Sequence, residues 1–335
     1  MSSAGVARSS ERVEDQIQVT VGKPSVIARR LIGSLISCLA GVLALSATFT
    51  AASSEPIRVS HAQGETTLPG VPQKVLTFDL ASLETLDAVG VTVAGVPRTH
   101  IPKHLSKYTG DTYLKIGTLF EPDYEAVNAA KPDLIIVGAR TATKYAELSK
   151  IAPTIDLSVS DEHFVDSAVR NARTLGQIFR KQAEIDALAA GIETSAAKLR
   201  TASANAGTGL IILTTGGRMS AYGPTSRFGA LHRDFGIRPA VETLDAAIHG
   251  QGVSFELILK ANPDWLFVVD RDAAVGQSGQ PAAQLLDNPL VTRTTAWKKH
   301  HVVYLEPVRW YLVGGGLPSL QASIDQIATA LQAAP

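Results

Sequence analysis

The feature that most constrains this chain is a stretch it contains twice. Residues Glu125 to Arg140 read EAVNAAKPDLIIVGAR, and Glu256 to Arg271 read ELILKANPDWLFVVDR. In both, the Pro of a Pro-Asp pair lies seven residues after the Glu, and an Arg lies seven residues after the Asp. Each copy predicts a helix, a Pro-Asp break and a strand. The strands Leu134-Ile135-Ile136-Val137 and Trp265-Leu266-Phe267-Val268-Val269 lack the alternation of a strand with one wet face, so they belong to parallel sheets covered on both sides. Two such units imply two related α/β lobes. Ligands of parallel α/β sheets bind beyond the carboxyl ends of the strands, which is where Arg140 and Arg271 fall.

Between the copies, Asp161 to Ala204 is the longest helical stretch and contains no proline. Phe164, Ala168, Leu175 and Phe179 keep helical spacing, Arg180-Lys181-Gln182 interrupts it, and Ile185, Leu188, Ile192 and Leu199 resume it. The reading is one helix of the first lobe and then a connecting helix over 181–204, about 36 Å long at 1.5 Å per residue. The expected organisation is therefore an N-terminal segment 1–52, a first lobe 53–180, the connector 181–204 and a second lobe 205–335 that repeats the strand-and-helix plan. Within the lobes, Ile57 to Gly70 reads as an edge strand and a turn, Val91 to Val96 as a strand, and Arg98 to Gly117 as a polar loop of the kind that carries ligand contacts. A final amphipathic helix is expected over Leu317 to Leu331.

The amino terminus reads as an address. Arg29-Arg30 precede a run without charge from Leu31 to Ser54, with small residues suited to cleavage near Ala52. The run is also long enough for a membrane anchor, and Leu35-Ile36-Ser37-Cys38 resembles a lipobox. Cleavage near Ala52 would remove Cys38, the one cysteine of the chain, and with it all disulfide chemistry. The 31 basic and 31 acidic residues balance, which gives no reason to expect nucleic acid as a partner. No GxSxG, HExxH, CxxC or phosphate-loop pattern occurs, so no enzyme chemistry is indicated.

The pieces IGTLFEPDYEAVNAAKPDLIIVGAR, GGRMSAYGPTSRFGALHRDFG, HGQGVSFELILKANPDWLFVVDR and YLEPVRWYL resemble the iron-siderophore binding proteins of ABC importers, in the helical-backbone cluster of periplasmic binding proteins. The resemblance covers Ile57 to Ala334. It implies a class III architecture of two Rossmann-like lobes joined by a single long α-helix, with the ligand cleft between them. It is nearest to the ferric-catecholate subgroup, whose three arginines, histidine and tyrosine carry over to Arg140, Arg227, Arg271, His249 and Tyr311. Arg218, in GGRM, is a fourth candidate arginine. The family implies that Glu125 and Glu256 dock on the two permease subunits, although each is also what a helix N-terminus favours. It further implies a periplasmic monomer that works with a permease and an ATPase, holds no permanent cofactor and carries Fe(III) as a siderophore complex.

The chemistry of such a site can be stated without the family. A ferric catecholate is a compact anion of charge about −2 to −3, and guanidinium stays charged while donating several coplanar hydrogen bonds. Ferric iron accepts phenolate and imidazole, so Tyr311 and His249 would fill two coordination positions beside a tetradentate siderophore. Beside a hexadentate one they would line the wall. Haem, with Tyr311 as axial ligand, is the alternative cargo, but three arginines exceed its two carboxylates.

Overall fold

The computed structural model describes residues 55–244 and 250–333. The expected export segment, Cys38 and His249 lie outside the described residues. Among those described, no helix is long and apolar enough to cross a membrane.

The described residues open with an antiparallel hairpin, β1 (Ile57–His61) and β2 (Gly64–Leu68). The first lobe then runs β3 (Val75–Thr77), α1 (Leu80–Ala88), β4 (Gly95–Val96), β5 (Leu114–Lys115), α2 (Tyr124–Ala130), β6 (Leu134–Val137), α3 (Tyr145–Leu148) and β7 (Thr154–Asp156). Its sheet is parallel throughout, in the order β5-β4-β3-β6-β7. Two helices follow, α4 (Phe164–Phe179) and the 22-residue α5 (Gln182–Ser203), separated where Arg180 turns left-handed at φ 57°.

The second lobe comprises β8 (Thr208–Thr215), β9 (Arg218–Tyr222), α6 (Ala230–Arg233), β10 (Arg238–Pro239), β11 (Gln251–Gly252), α7 (Phe255–Ala261), β12 (Trp265–Asp270), α8 (Arg271–Ala274), α9 (Ala282–Leu286), α10 (Thr295–Lys298) and β13 (Val302–Tyr304). Strand order is β11-β9-β8-β12-β13, with β10 beside β8. A π-helical turn, Arg309–Val313, leads to the last helix, α11 (Leu317–Gln332).

The repeated stretch folds alike in both lobes for identifiable reasons. Asp123 caps α2 by accepting from Ala126 N–H, and Ser254 caps α7 by accepting from Leu257 N–H. Both helices end in a left-handed residue, Lys131 at φ 48° and Asn262 at φ 40°, just ahead of the proline. The aspartate of each Pro-Asp then pins the start of the neighbouring strand. Asp133 accepts from the N–H groups of Gln73 and Lys74 at 2.9 and 2.8 Å, and Asp264 accepts from Thr208 N–H at 2.8 Å. The strands that follow, β6 and β12, lie parallel beside β3 and β8.

Three readings need correction. The segment after β8 does not repeat the strand-and-helix plan. Gly216 and Gly217, at φ 54° and 73°, close a two-residue antiparallel turn instead, the geometry that matches strand twist. The strand expected over Val91 to Val96 shortens to Gly95–Val96, and the edge strand expected at the start is a hairpin. The chain also crosses between lobes a second time, through the turn at Arg309–Val313. Leu312 and Val313 pack into the first-lobe core, and Leu317, Leu320 and Ile324 of α11 join a core shared by α4, α5 and the second sheet.

Candidate functional site

Three guanidinium groups converge on Tyr311. Their central carbons lie 5.5 Å (Arg140), 4.7 Å (Arg227) and 5.7 Å (Arg271) from its ring centroid. Arg140 follows β6 by three residues, Arg271 follows β12 directly, and Arg227 sits in the loop after β9. That loop is tight: Ser226 Oγ donates to Gly223 O at 2.7 Å, and a Cβ at Gly229 would lie 2.0 Å from Pro224 O. The tyrosine is presented by the π-helical turn. Arg140 Nη1 donates to Leu312 O at 3.1 Å and Nη2 to Tyr311 O, which also accepts from Arg227 Nη2 at 3.0 Å. Arg271 Nε donates to the Tyr311 hydroxyl at 3.1 Å.

The cluster has few direct ion pairs, although the carboxylates of Asp79 and Asp161 line the same cavity and interact through space with Arg140 and Arg227. Among the described residues Arg140 and Arg227 make no ion pair, and Arg271 approaches Asp272 at 3.5 Å. Burial, and then the field of Arg227, push the Arg140 guanidinium down to about 10, so it stays charged at neutral pH. The Asp79 carboxyl, whose field reaches Arg140, caps α1 by accepting from Ser82 N–H and Oγ at 2.8 and 2.6 Å. Desolvation raises its pKa against those bonds. The Asp272 carboxyl is held below the usual range by the N–H of Gly216.

A cavity of about 490 Å³ opens between the lobes, walled by Arg140, Arg227 and Tyr311 together with Phe120, Phe164 and Trp310. Arg271 meets Tyr311 from outside that wall. Arg218 is exposed at the first position of β9, opposite Thr215, and is not part of the wall. Glu125 and Glu256 are exposed at equivalent second positions of α2 and α7.

Two further residues of the site had not been singled out from the sequence. His100 stands at φ 63°, and its imidazole pKa is lowered by burial and then by the fields of Arg140 and Arg271. Phe120 is an exposed aromatic residue on the cavity wall. The legible signal for both was their position in polar, turn-rich segments, where an isolated aromatic or histidine has no core to join.

The chain is 40% identical over 307 residues to the petrobactin-binding protein YclQ of Bacillus subtilis, covering 90% of this chain and 96% of that one. It is 34% identical to the ferric-anguibactin-binding protein FatB of Vibrio anguillarum, over 83% and 88% of the two chains. The crystal structure of the periplasmic catecholate-siderophore binding protein VctP of Vibrio cholerae superposes with a TM-score of 0.79 at 32% identity, covering 82% of this chain and all of that one. With residues 75–308 also matching the family described as periplasmic binding protein, the chain belongs to that family.

Proposed function

We propose that the protein captures a ferric siderophore of catecholate type and delivers it to an ABC permease and its ATPase. The observation that carries this reading is the meeting of Arg140, Arg227 and Arg271 on Tyr311, with two of the three guanidiniums bonded to neutral carbonyls and not to carboxylates. A charged group turned toward a cleft on neutral acceptors keeps its field for an anion. Relatives at 34–40% identity that bind petrobactin and ferric anguibactin support the cargo class. Fe(III) enters as part of the cargo. The Tyr311 hydroxyl, with His249, completes its coordination when the siderophore supplies four donors, and lines the wall when it supplies six. Arg218 adds long-range charge from the β9 end. Glu125 and Glu256 present one carboxylate per lobe to the permease. The protein acts in the periplasm as a monomer once the amino-terminal segment has served for export.

The deciding experiment is a fluorescence and absorbance titration of the protein with a ferric catecholate, a neutral ferric hydroxamate and haem. Tight binding of the first and weak binding of the second are expected. Equal affinity for both would refute the charge-matching argument.

A further inference from the structure

The cavity wall carries one large apolar side chain that the fold does not bury. Phe120 is 51% exposed, although it lines the same cavity as Arg140, Arg227 and Tyr311. Its loop is built to keep it there. Thr118 Oγ1 accepts from the N–H groups of Phe120 and Glu121 at 3.2 and 3.0 Å, and Thr118 N–H donates to Glu121 O at 2.9 Å. Gly117, at φ 120°, lets the chain fold so closely that a Cβ there would lie 2.4 Å from Glu121 O. Leu119 anchors the loop in the first-lobe core, and Lys144 holds Glu121 at 2.9 Å. A rigid loop that displays a phenyl ring to water gains nothing for folding. The ring's apolar face is available to whatever enters the cavity.

Resting on the cargo class proposed above, we propose that Phe120 determines specificity, stacking on the planar aromatic ring of a chelating unit while the arginines take its charge. Offset stacking suits two flat rings and does not suit an aliphatic carboxylate, so the residue separates aryl chelates from anions of similar charge. The arginine cluster alone cannot make that distinction, because guanidinium binds carboxylate as readily as phenolate oxygen.

The test uses the whole chain carrying Phe120→Ala, Phe120→Leu or Phe120→Trp, titrated with a ferric bis-catecholate and with ferric citrate. The exposure of Phe120 makes unchanged melting temperatures the expected control. Phe120→Ala should weaken catecholate binding about tenfold, equivalent to ~1.4 kcal/mol, and change citrate binding less than about twofold. Phe120→Leu should fall between, and Phe120→Trp should retain affinity. Equal loss for both ligands, or no loss for the catecholate, overturns the assignment while leaving the arginine site intact. Normal binding with impaired transport overturns it too, by moving Phe120 to the permease interface. Failure of the unaltered protein to bind the catecholate overturns the cargo class along with it.

Discussion

Removal of the Glu84 carboxylate should show how the Tyr311 turn is held. Glu84, on α1 and only 3% exposed, accepts from Ser319 N–H at 3.0 Å and Ser319 Oγ at 2.6 Å, and pairs with His104 at 2.6 Å. Ser319 is in the first turn of α11, whose N-cap residue, Gly316, offers no side-chain acceptor. The carboxylate therefore caps this helix from across the fold, and it sits where the macrodipole favours negative charge. Gly316 leaves room for it, since a Cβ there would lie 2.3 Å from Glu84 Oε2. In Glu84→Ala two fully buried donors of Ser319 lose their acceptor, at about 1–3 kcal/mol each. His104 is 36% exposed and regains water, so its lost pair adds little. The expected destabilisation is about 3–4 kcal/mol, which at ~2–4 °C per kcal/mol lowers the melting temperature by roughly 6–16 °C. Glu84→Gln, which keeps one oxygen acceptor, should lose about half as much. Because only three residues separate the Tyr311 turn from α11, ligand affinity should fall along with stability. Thermal unfolding followed by circular dichroism, with and without ferric catecholate, measures both. A Glu84→Ala protein that melts within about 2 °C of the parent would show that water replaces the cap and that the argument is wrong.

Four other outcomes follow from the same contacts. Tyr311→Phe keeps the ring and both carbonyl acceptors but removes the oxygen bonded to Arg271, so it should alter the absorption spectrum of a tetradentate ferric complex and spare a hexadentate one. A like response of both complexes would make Tyr311 a wall residue. Arg140→Ala and Arg227→Ala should each weaken binding by about 1.5–3 kcal/mol in calorimetry, and unchanged affinity would deny them the ligand. Arg140→Ala should also lower stability, since it unties Tyr311 and Leu312. The pair Glu125→Ala and Glu256→Ala should leave affinity alone and reduce uptake in cells with the cognate permease; normal uptake removes the docking role. His232 is buried, with Nδ1 donating to Ile237 O at 2.8 Å, and burial depresses its pKa below 6.5. The native protein then binds fewer protons than the unfolded chain, so the stability it contributes is complete above that pH and is lost as pH falls. Melting temperatures from pH 7.5 to 5 should decline, and His232→Gln should flatten the decline.

Local chemistry decided what the sequence could disclose. The Pro-Asp frame was readable because its helix, its proline break and its uninterrupted apolar strand are encoded within sixteen residues of each copy, whereas the caps Asp123 and Ser254 lie two residues ahead of it. From those strands the positions of Arg140 and Arg271 beyond the carboxyl ends of β6 and β12 followed directly, although the second sheet proved mixed and not parallel throughout. The hairpin after β8 carried a signal too, since Gly216-Gly217 between Thr215 and Arg218 is a two-residue turn pattern, yet the repeat argued for a helix there. The cap of α11 by Glu84 had no legible trace, because its partners are 235 residues apart in the chain. Nor could a pattern disclose that Arg140 and Arg227 would share one main-chain carbonyl of Tyr311. Such pairing depends on the second crossing at Arg309–Val313, which no periodicity announces.

That shared carbonyl bears on why the site should prefer anions. A carbonyl satisfies hydrogen bonds but not charge, so two guanidiniums on one oxygen are geometrically content and electrostatically opposed. The depressed pKa of Arg140 has burial as its first cause and Arg227 as its second, and the second is repulsion that an anion can relieve. A neutral ferric complex would have to displace the same carbonyl bonds without relieving that repulsion. On the proposed cargo, discrimination would rest less on the number of hydrogen bonds the ligand forms than on the like-charge repulsion between Arg140 and Arg227 that an anion relieves. Raising ionic strength screens exposed charges over about 8–10 Å but screens a partly buried pair such as Arg140 and Arg227 much less. Affinity for the catecholate should accordingly fall with salt by less than a surface arginine cluster would show, and a steep salt dependence in the same titration would place the attraction on the surface and not in the cleft.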